Sequence, residues 1–176
     1  MPTILSHPIA ALGIGAALFG RKAPRRVLAL GAVCSALPDA DVIGFAFGVR
    51  YEDLLGHRGL SHSFAFAAAL AALATPLARS EGGPGWGKLW TYLFLATASH
   101  GVLDALTDGG LGVGFFAPFD ETRYFFPFRP IEVSPIGPGF FTKRGLVVIA
   151  SELLWVWLPS LALAGMATAW RKAPPA

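Results

Sequence analysis

Leu89–Leu106 reads LWTYLFLATASHGVLDAL, an apolar run that ends in one imidazole and one carboxylate. Its length approaches the roughly 20 residues a helix needs to cross the hydrocarbon core of a bilayer. His100 and Asp104 are four residues apart, so a helix carries both on one face. Ionisable groups at membrane depth are costly and persist where they pair or line a polar cavity. The stretch therefore predicts a membrane helix with a polar site near its end.

Four more apolar segments flank it: Pro8 to Gly20, Val27 to Gly48, Ser63 to Ala78, and Leu146 to Trp170. The first and third are short for a full crossing, so tilt, local thinning or incomplete crossing is expected. Pro38-Asp39-Ala40-Asp41 interrupts the second. Residues 108 to 143 form a long connection rich in Gly, Pro and Phe, with aromatic pairs such as Phe115-Phe116. That composition disfavours regular helix and suits a lid or an interfacial segment. The 176 residues are 54% hydrophobic and only 14% charged, with mean hydropathy +0.56. A soluble domain carries about a quarter charged residues, and a globule this small could not hide so much apolar surface. The fold expected is all-α: one domain over residues 1–176, a polytopic membrane bundle of about five helices.

Net charge is +3, with no basic patch interleaved with aromatics, which argues against a nucleic-acid partner. The single cysteine, Cys34, excludes an internal disulfide and a multi-cysteine zinc site. The N-terminus lacks a basic leader and a cleavage site, and reads as mature chain rather than signal peptide. Alternating helices place Arg21, Lys22, Arg25, Arg26, Arg79, Lys88, Arg171 and Lys172 on one side. Arg50, Arg58, Arg123, Arg129, Lys143 and Arg144 fall on the other. Four of the first group crowd the turn before the second helix, which sets that side in the cytoplasm and the N-terminus outside.

This alternation puts His7, Asp39, Asp41, His57, His62, His100 and Asp104 on the outer side, although none of them was used to derive it. Imidazole with carboxylate suits Zn²⁺, and also Mn²⁺ or Fe²⁺. Seven candidate ligands exceed one tetrahedral shell, so one ion with supporting groups, or two ions, is expected. An extended chain after Pro38 would point Asp39 and Asp41 the same way; capping of a re-entrant helix is the other reading of that pair. His7 alone also reads as a cap or interface residue. Arg58 reads either as a phosphate clamp or as a partner of Glu52 or Asp53. Glu152, about two turns into the last helix, reads as a buttress for a ligand or an Arg, or as a helix–helix hydrogen bond. Glu52, Asp53, Asp120 and Glu121 read as solvated loop charges.

His7, Pro38-Asp39-Ala40-Asp41, the run His57-Arg58-Gly59-Leu60-Ser61-His62-Ser63, and His100 with Asp104 together resemble the YdjM-like inner-membrane metal-dependent hydrolases. The resemblance covers most of the chain through the fourth helix and implies an enzyme of the plasma or inner membrane. More distantly the pattern is similar to zinc-dependent phospholipase C and the related single-strand nucleases. That likeness implies Asp104 as a metal-bridging carboxylate with His100 beside it. One of Asp39 or Asp41, one of His57 or His62, and His7 would complete the shell. The further His and Glu of a three-zinc arrangement are missing, so a site of one or two ions is the carry-over.

The function expected is hydrolysis of a phosphoester in a membrane lipid or lipid-linked substrate, by metal-activated water at the extracytoplasmic face. Asp39 or Asp41 would be the general base, and Arg58 would hold phosphate oxygens. The alternative is a metal-stabilised membrane scaffold or binding protein without turnover. A transporter ranks below both, because the polar residues gather at one face rather than along a path.

Overall fold

A computed structural model of the protein describes residues 1–20, 23–135 and 137–170. Arg21, Lys22, Arg171 and Lys172, which entered the topology reading above, lie outside the described residues.

Five helical rods make up the described bundle. They are α1 (Ser6–Phe19), α2 (Arg25–Ala36), α3 (Phe64–Ala78), α4 (Trp86–Ala105) and α5 (Lys143–Trp170). A π turn, Leu153–Trp157, interrupts α5 near its middle. No strand occurs among the described residues, only two isolated bridges, Thr107 with Ile131 and Val113 with Tyr124. The 23-residue stretch Arg25–Phe47 and the 28-residue α5 are long and apolar enough to cross a membrane. Only 17% of the apolar window of α5 is buried inside the protein. Val33, Leu73, Leu77, Leu161 and Met166 are likewise exposed. Lipid is the solvent that tolerates such a surface, and the fold is an all-helical membrane bundle.

Beyond Ala36 the chain departs from the extended geometry expected after Pro38. It continues as a 3₁₀ helix, Leu37–Phe47, with Pro38 in the first turn, where a missing N–H costs nothing. Residues two apart on a 3₁₀ helix differ by about 240°, at 3.0 residues per turn. Asp39 and Asp41 therefore leave the backbone in different directions, and they serve different neighbours.

At the centre of the bundle α4 packs against α1, α2 and α3, while α1 also packs along α5. The apolar core joins Leu89, Tyr92 and Leu93 of α4 to Ala11, Val27, Ala71 and Ala74. Small residues let these backbones approach, the usual device where lipid removes the hydrophobic drive between helices. Gly31 is the sharpest case: a Cβ there would collide with the Tyr92 phenol.

The long connection after α4 folds back over the end of the bundle from which His7 and His100 project. Gly114 N–H donates to Arg58 O, and Phe126 N–H donates to Ala105 O. The Arg123 guanidinium donates to the carbonyls of Tyr51, Asp53 and His57. Val113, Phe115, Ala117 and Ile131 are the buried apolar residues of this cover.

Candidate metal centre

Each candidate ligand is placed by a different local device. Ser6 and His7 open α1. Asp39 and Asp41 sit in the 3₁₀ extension of α2. His62 ends a single 3₁₀ turn, Leu60–His62, just ahead of α3, whose first turn is capped by the Ser63 hydroxyl. His100 and Asp104 lie in the last turns of α4. Gly101 makes the approach possible, since a Cβ there would stand 2.7 Å from His62 O.

Asp39, His62, His100 and Asp104 each present one donor atom within 4.8 Å of all the others, and all four are buried. His62 Nε2 faces His100 Nε2 at 3.0 Å. Asp39 Oδ1 lies 3.2 Å from His100 Nε2 and 3.8 Å from His62 Nε2. Asp104 Oδ2 lies 3.4 Å from His62 Nε2. The other carboxylate oxygens turn to His7, whose Nε2 is 3.9 Å from Asp39 Oδ2 and 3.9 Å from Asp104 Oδ1. The His7 ring stacks on His100 with centroids 3.6 Å apart.

Hydrogen bonding fixes which imidazole nitrogens are free. The switch from α to 3₁₀ pairing at the end of α2 leaves terminal carbonyls available. Ser35 O is met by His100 Nδ1 at 2.7 Å, which sets the proton on Nδ1 and turns the Nε2 lone pair into the cluster. His62 Nδ1 lies 3.2 Å from Asp41 Oδ2 and so directs its Nε2 inward as well. Two imidazole lone pairs at 3.0 Å repel unless a proton or a cation stands between them. Burial alone would depress the basicity of His62. Its contacts with Asp104, Asp39 and Asp41 outweigh burial and lift its pKa to about 10.

Several buried atoms have no hydrogen-bond partner: both ring nitrogens of His7, Asp39 Oδ2, both oxygens of Asp104, and Arg58 Nε. Buried polar groups left in that state are expensive, and the convergence of the imidazole and carboxylate atoms is the signature of a ligand they share. The donor set is imidazole nitrogen and carboxylate oxygen, which fits a divalent metal. These residues could hold one ion between His62 and His100. The oxygens that Asp39 and Asp104 turn towards His7 leave a second position of the same chemistry.

Asp41 and His57 stand one layer out. Asp41 Oδ1 is 2.7 Å from His57 Nδ1, and its Oδ2 accepts from the Ser61 hydroxyl at 2.6 Å. Asp41, His57 and His62 also present donor atoms within 4.8 Å of one another. With the inner position open on His62 Nε2, this trio reads as a carboxylate holding a histidine ligand in place.

Arg58 does not take the Glu52 or Asp53 partner read from the sequence. Glu52 and Asp53 pair with Arg50, not Arg58. The Arg58 side chain is completely buried, with φ of 66°. Its Nε lies 3.0 Å from Asp104 Oδ2, Nη1 donates to Gly109 O, and Nη2 donates to Thr107 Oγ1. Arg58 is thus tied to Asp104, Gly109 and Thr107 inside the protein, and it holds Asp104 in position. The Ser35 carbonyl, Ser61 and Thr107 went unnoticed in the sequence. Ser61, adjacent to His62 in a polar run, carried a signal; a main-chain carbonyl carries none.

The family described as YdjM inner membrane protein matches residues 1–173. Inner membrane protein YbcI of Escherichia coli (strain K12) is 40% identical over 173 residues, covering 98% of this chain and 99% of that protein. No solved structure matches. With a match over nearly its whole length and a buried histidine–aspartate cluster at one end of a membrane bundle, the chain belongs to the YdjM family of inner membrane proteins.

Proposed function

We propose that the protein is a membrane-bound, metal-dependent hydrolase acting on a phosphoester of a lipid or lipid-linked substrate. The observation that carries the reading is the set of unpartnered buried donors on His7, Asp39 and Asp104 around the facing nitrogens of His62 and His100. One or two divalent ions, with Zn²⁺ favoured by the donor set, would be held by His7, Asp39, His62, His100 and Asp104. When bound, such an ion supplies an acidified water and polarises a phosphoryl oxygen.

The chain's own groups divide the remaining work. Asp41 and Ser35 O hold the inward tautomers of His62 and His100. Arg58 balances the Asp104 charge. Both Asp41 oxygens are engaged, so with a single ion between His62 and His100 it is Asp39 Oδ2, without a partner, that would accept the proton of the attacking water. An apolar groove of about 370 Å³, lined by Phe64, Phe115, Phe116 and Phe119, starts two residues from His62 and has the chemistry of an acyl-chain slot. Arg25 and Arg26 open α2, just past the end of α1 remote from His7, which supports an extracytoplasmic position for the centre.

The test joins metal analysis of the purified protein to assay of phosphate or head-group release from a phospholipid panel. Stoichiometric divalent metal is expected, with release falling in Asp104→Ala by more than the about 10–100-fold typical of a supporting residue. Folded protein free of metal, or release unchanged by Asp104→Ala, would remove the reading. A second reading, a metal-stabilised scaffold, draws support from closure: His7, His100 and Asp104 have no exposed surface. Structural sites use every coordination position, whereas catalytic ones keep one open. Stoichiometric metal with no turnover on any substrate favours the scaffold.

A further inference from the structure

Three inner members of the cluster have an evident device that aims them. His62 leans on Asp41, His100 on Ser35 O, and Asp104 on Arg58. Neither ring nitrogen of His7 has a hydrogen-bond partner, and the ring stacks on His100. Its position therefore depends on where the first turn of α1 is held.

Glu152 holds that turn. It is completely buried in the middle of α5, where an unpaired carboxylate would be costly. It accepts from Thr3 N–H, from Thr3 Oγ1 at 2.6 Å and from Ser6 Oγ at 2.6 Å. These are donors at and before the start of α1, where a helix leaves N–H groups free and favours negative charge. Ser6 Oγ in turn accepts from Trp157 Nε1 at 2.7 Å. Glu152 and Trp157 are five residues apart, about 140° around a regular α-helix. The π turn between them widens the helix and brings both side chains onto Ser6. Ser6 and His7 are neighbours, so this clamp sets the height and rotation of the histidine.

We propose that Glu152 is a positioning residue for His7, acting through Thr3 and Ser6, and that the π turn of α5 exists to complete this clamp. The proposal deepens the metal reading in one respect, that His7 is a ligand; the clamp itself stands without it.

Two measurements test it on the full-length protein in detergent, using Glu152→Ala, Glu152→Gln and Ser6→Ala. The first, which needs no metal, is hydrogen–deuterium exchange at the imidazole C2 position of each histidine. Glu152→Ala is expected to speed exchange at His7 at least tenfold and leave His62 and His100 unchanged. Glu152→Gln, which keeps an acceptor, is expected to restore most of the protection, and Ser6→Ala to give an intermediate rate. Unchanged exchange at His7, or equal acceleration at all three histidines, overturns the proposal. Should Glu152→Ala not fold, Ser6→Ala and Glu152→Gln carry the same comparison. The second measurement is Co²⁺ titration followed by its visible absorption. Glu152→Ala is expected to weaken binding about tenfold, as for a supporting residue, but to add nothing to His7→Ala. Additive losses would overturn the coupling. Wild-type protein that takes up no Co²⁺ would defeat the metal reading, while the exchange result would still decide the clamp.

Discussion

The two ends of the bundle are built from the same helices by opposite means. At the end holding Gly15, Gly31 and Tyr92, contact is apolar and close, with alanines and glycines letting α1, α2 and α4 touch. At the other end the same three helices meet through His7, Asp39, His100 and Asp104, all buried and several lacking partners. One end gains from packing density, and the other depends on charge and on a cation or proton to neutralise lone pairs. A fault at the first end should cost stability alone, and a fault at the second should alter ligand binding, with a loss of stability besides where it strands a buried charge.

The largest effect expected is that of Arg58→Ala. It strands the buried Asp104 carboxylate, and breaking a buried pair typically costs about 3–5 kcal/mol. Thermal unfolding in detergent should show a large drop that added divalent metal partly reverses. Next comes Gly31→Val, which forces side-chain volume against Tyr92 at a cost of about 1–3 kcal/mol. Its melting temperature should fall while metal stoichiometry in the folded fraction stays at the wild-type value. A change in stoichiometry would break the separation between the two ends.

Asp41→Asn removes the charge behind His62 without touching the inner donors. Metal affinity should fall about 10–100-fold, with little change in melting temperature. The pH dependence sharpens the same point. With its pKa raised to about 10, His62 must lose a proton for Nε2 to bind a cation. Affinity should therefore rise about tenfold per pH unit below pH 10 for this group, and titrations at several pH values would show the slope. Smallest of all is Tyr92→Phe. The phenol reaches Leu28 O only at 3.5 Å, so its loss should cost less than about 0.5 kcal/mol in the same unfolding assay.

Much of this architecture was legible in the chain. Long apolar runs needing lipid, and the turn and loop residues between them, predicted an all-helical membrane bundle, and the protein folds as one. The spacing of His100 and Asp104 put them on one face by helix geometry alone. Less was legible where the backbone changed type. Pro38 suggested an extended break, but a proline in the first turn of a 3₁₀ helix is tolerated, and the chain stayed helical. That difference divides Asp39, in the inner cluster, from Asp41, behind His62. For Arg58 the sequence carried the charge but not the depth, and its pairing with Asp104 rests on that depth.

The sequence by itself determined the solvent of this protein and the inventory of its chemistry, because hydropathy, helical period and residue type are local properties. Only the tertiary structure decided which nitrogen faces which oxygen, that Arg58 serves Asp104, and that Glu152 serves the first turn of α1. Those pairings join residues 46 and 146 positions apart, from numbers 58 to 104 and 6 to 152. They depend on burial and on angstrom-scale approach between helices, and no local pattern encodes either one.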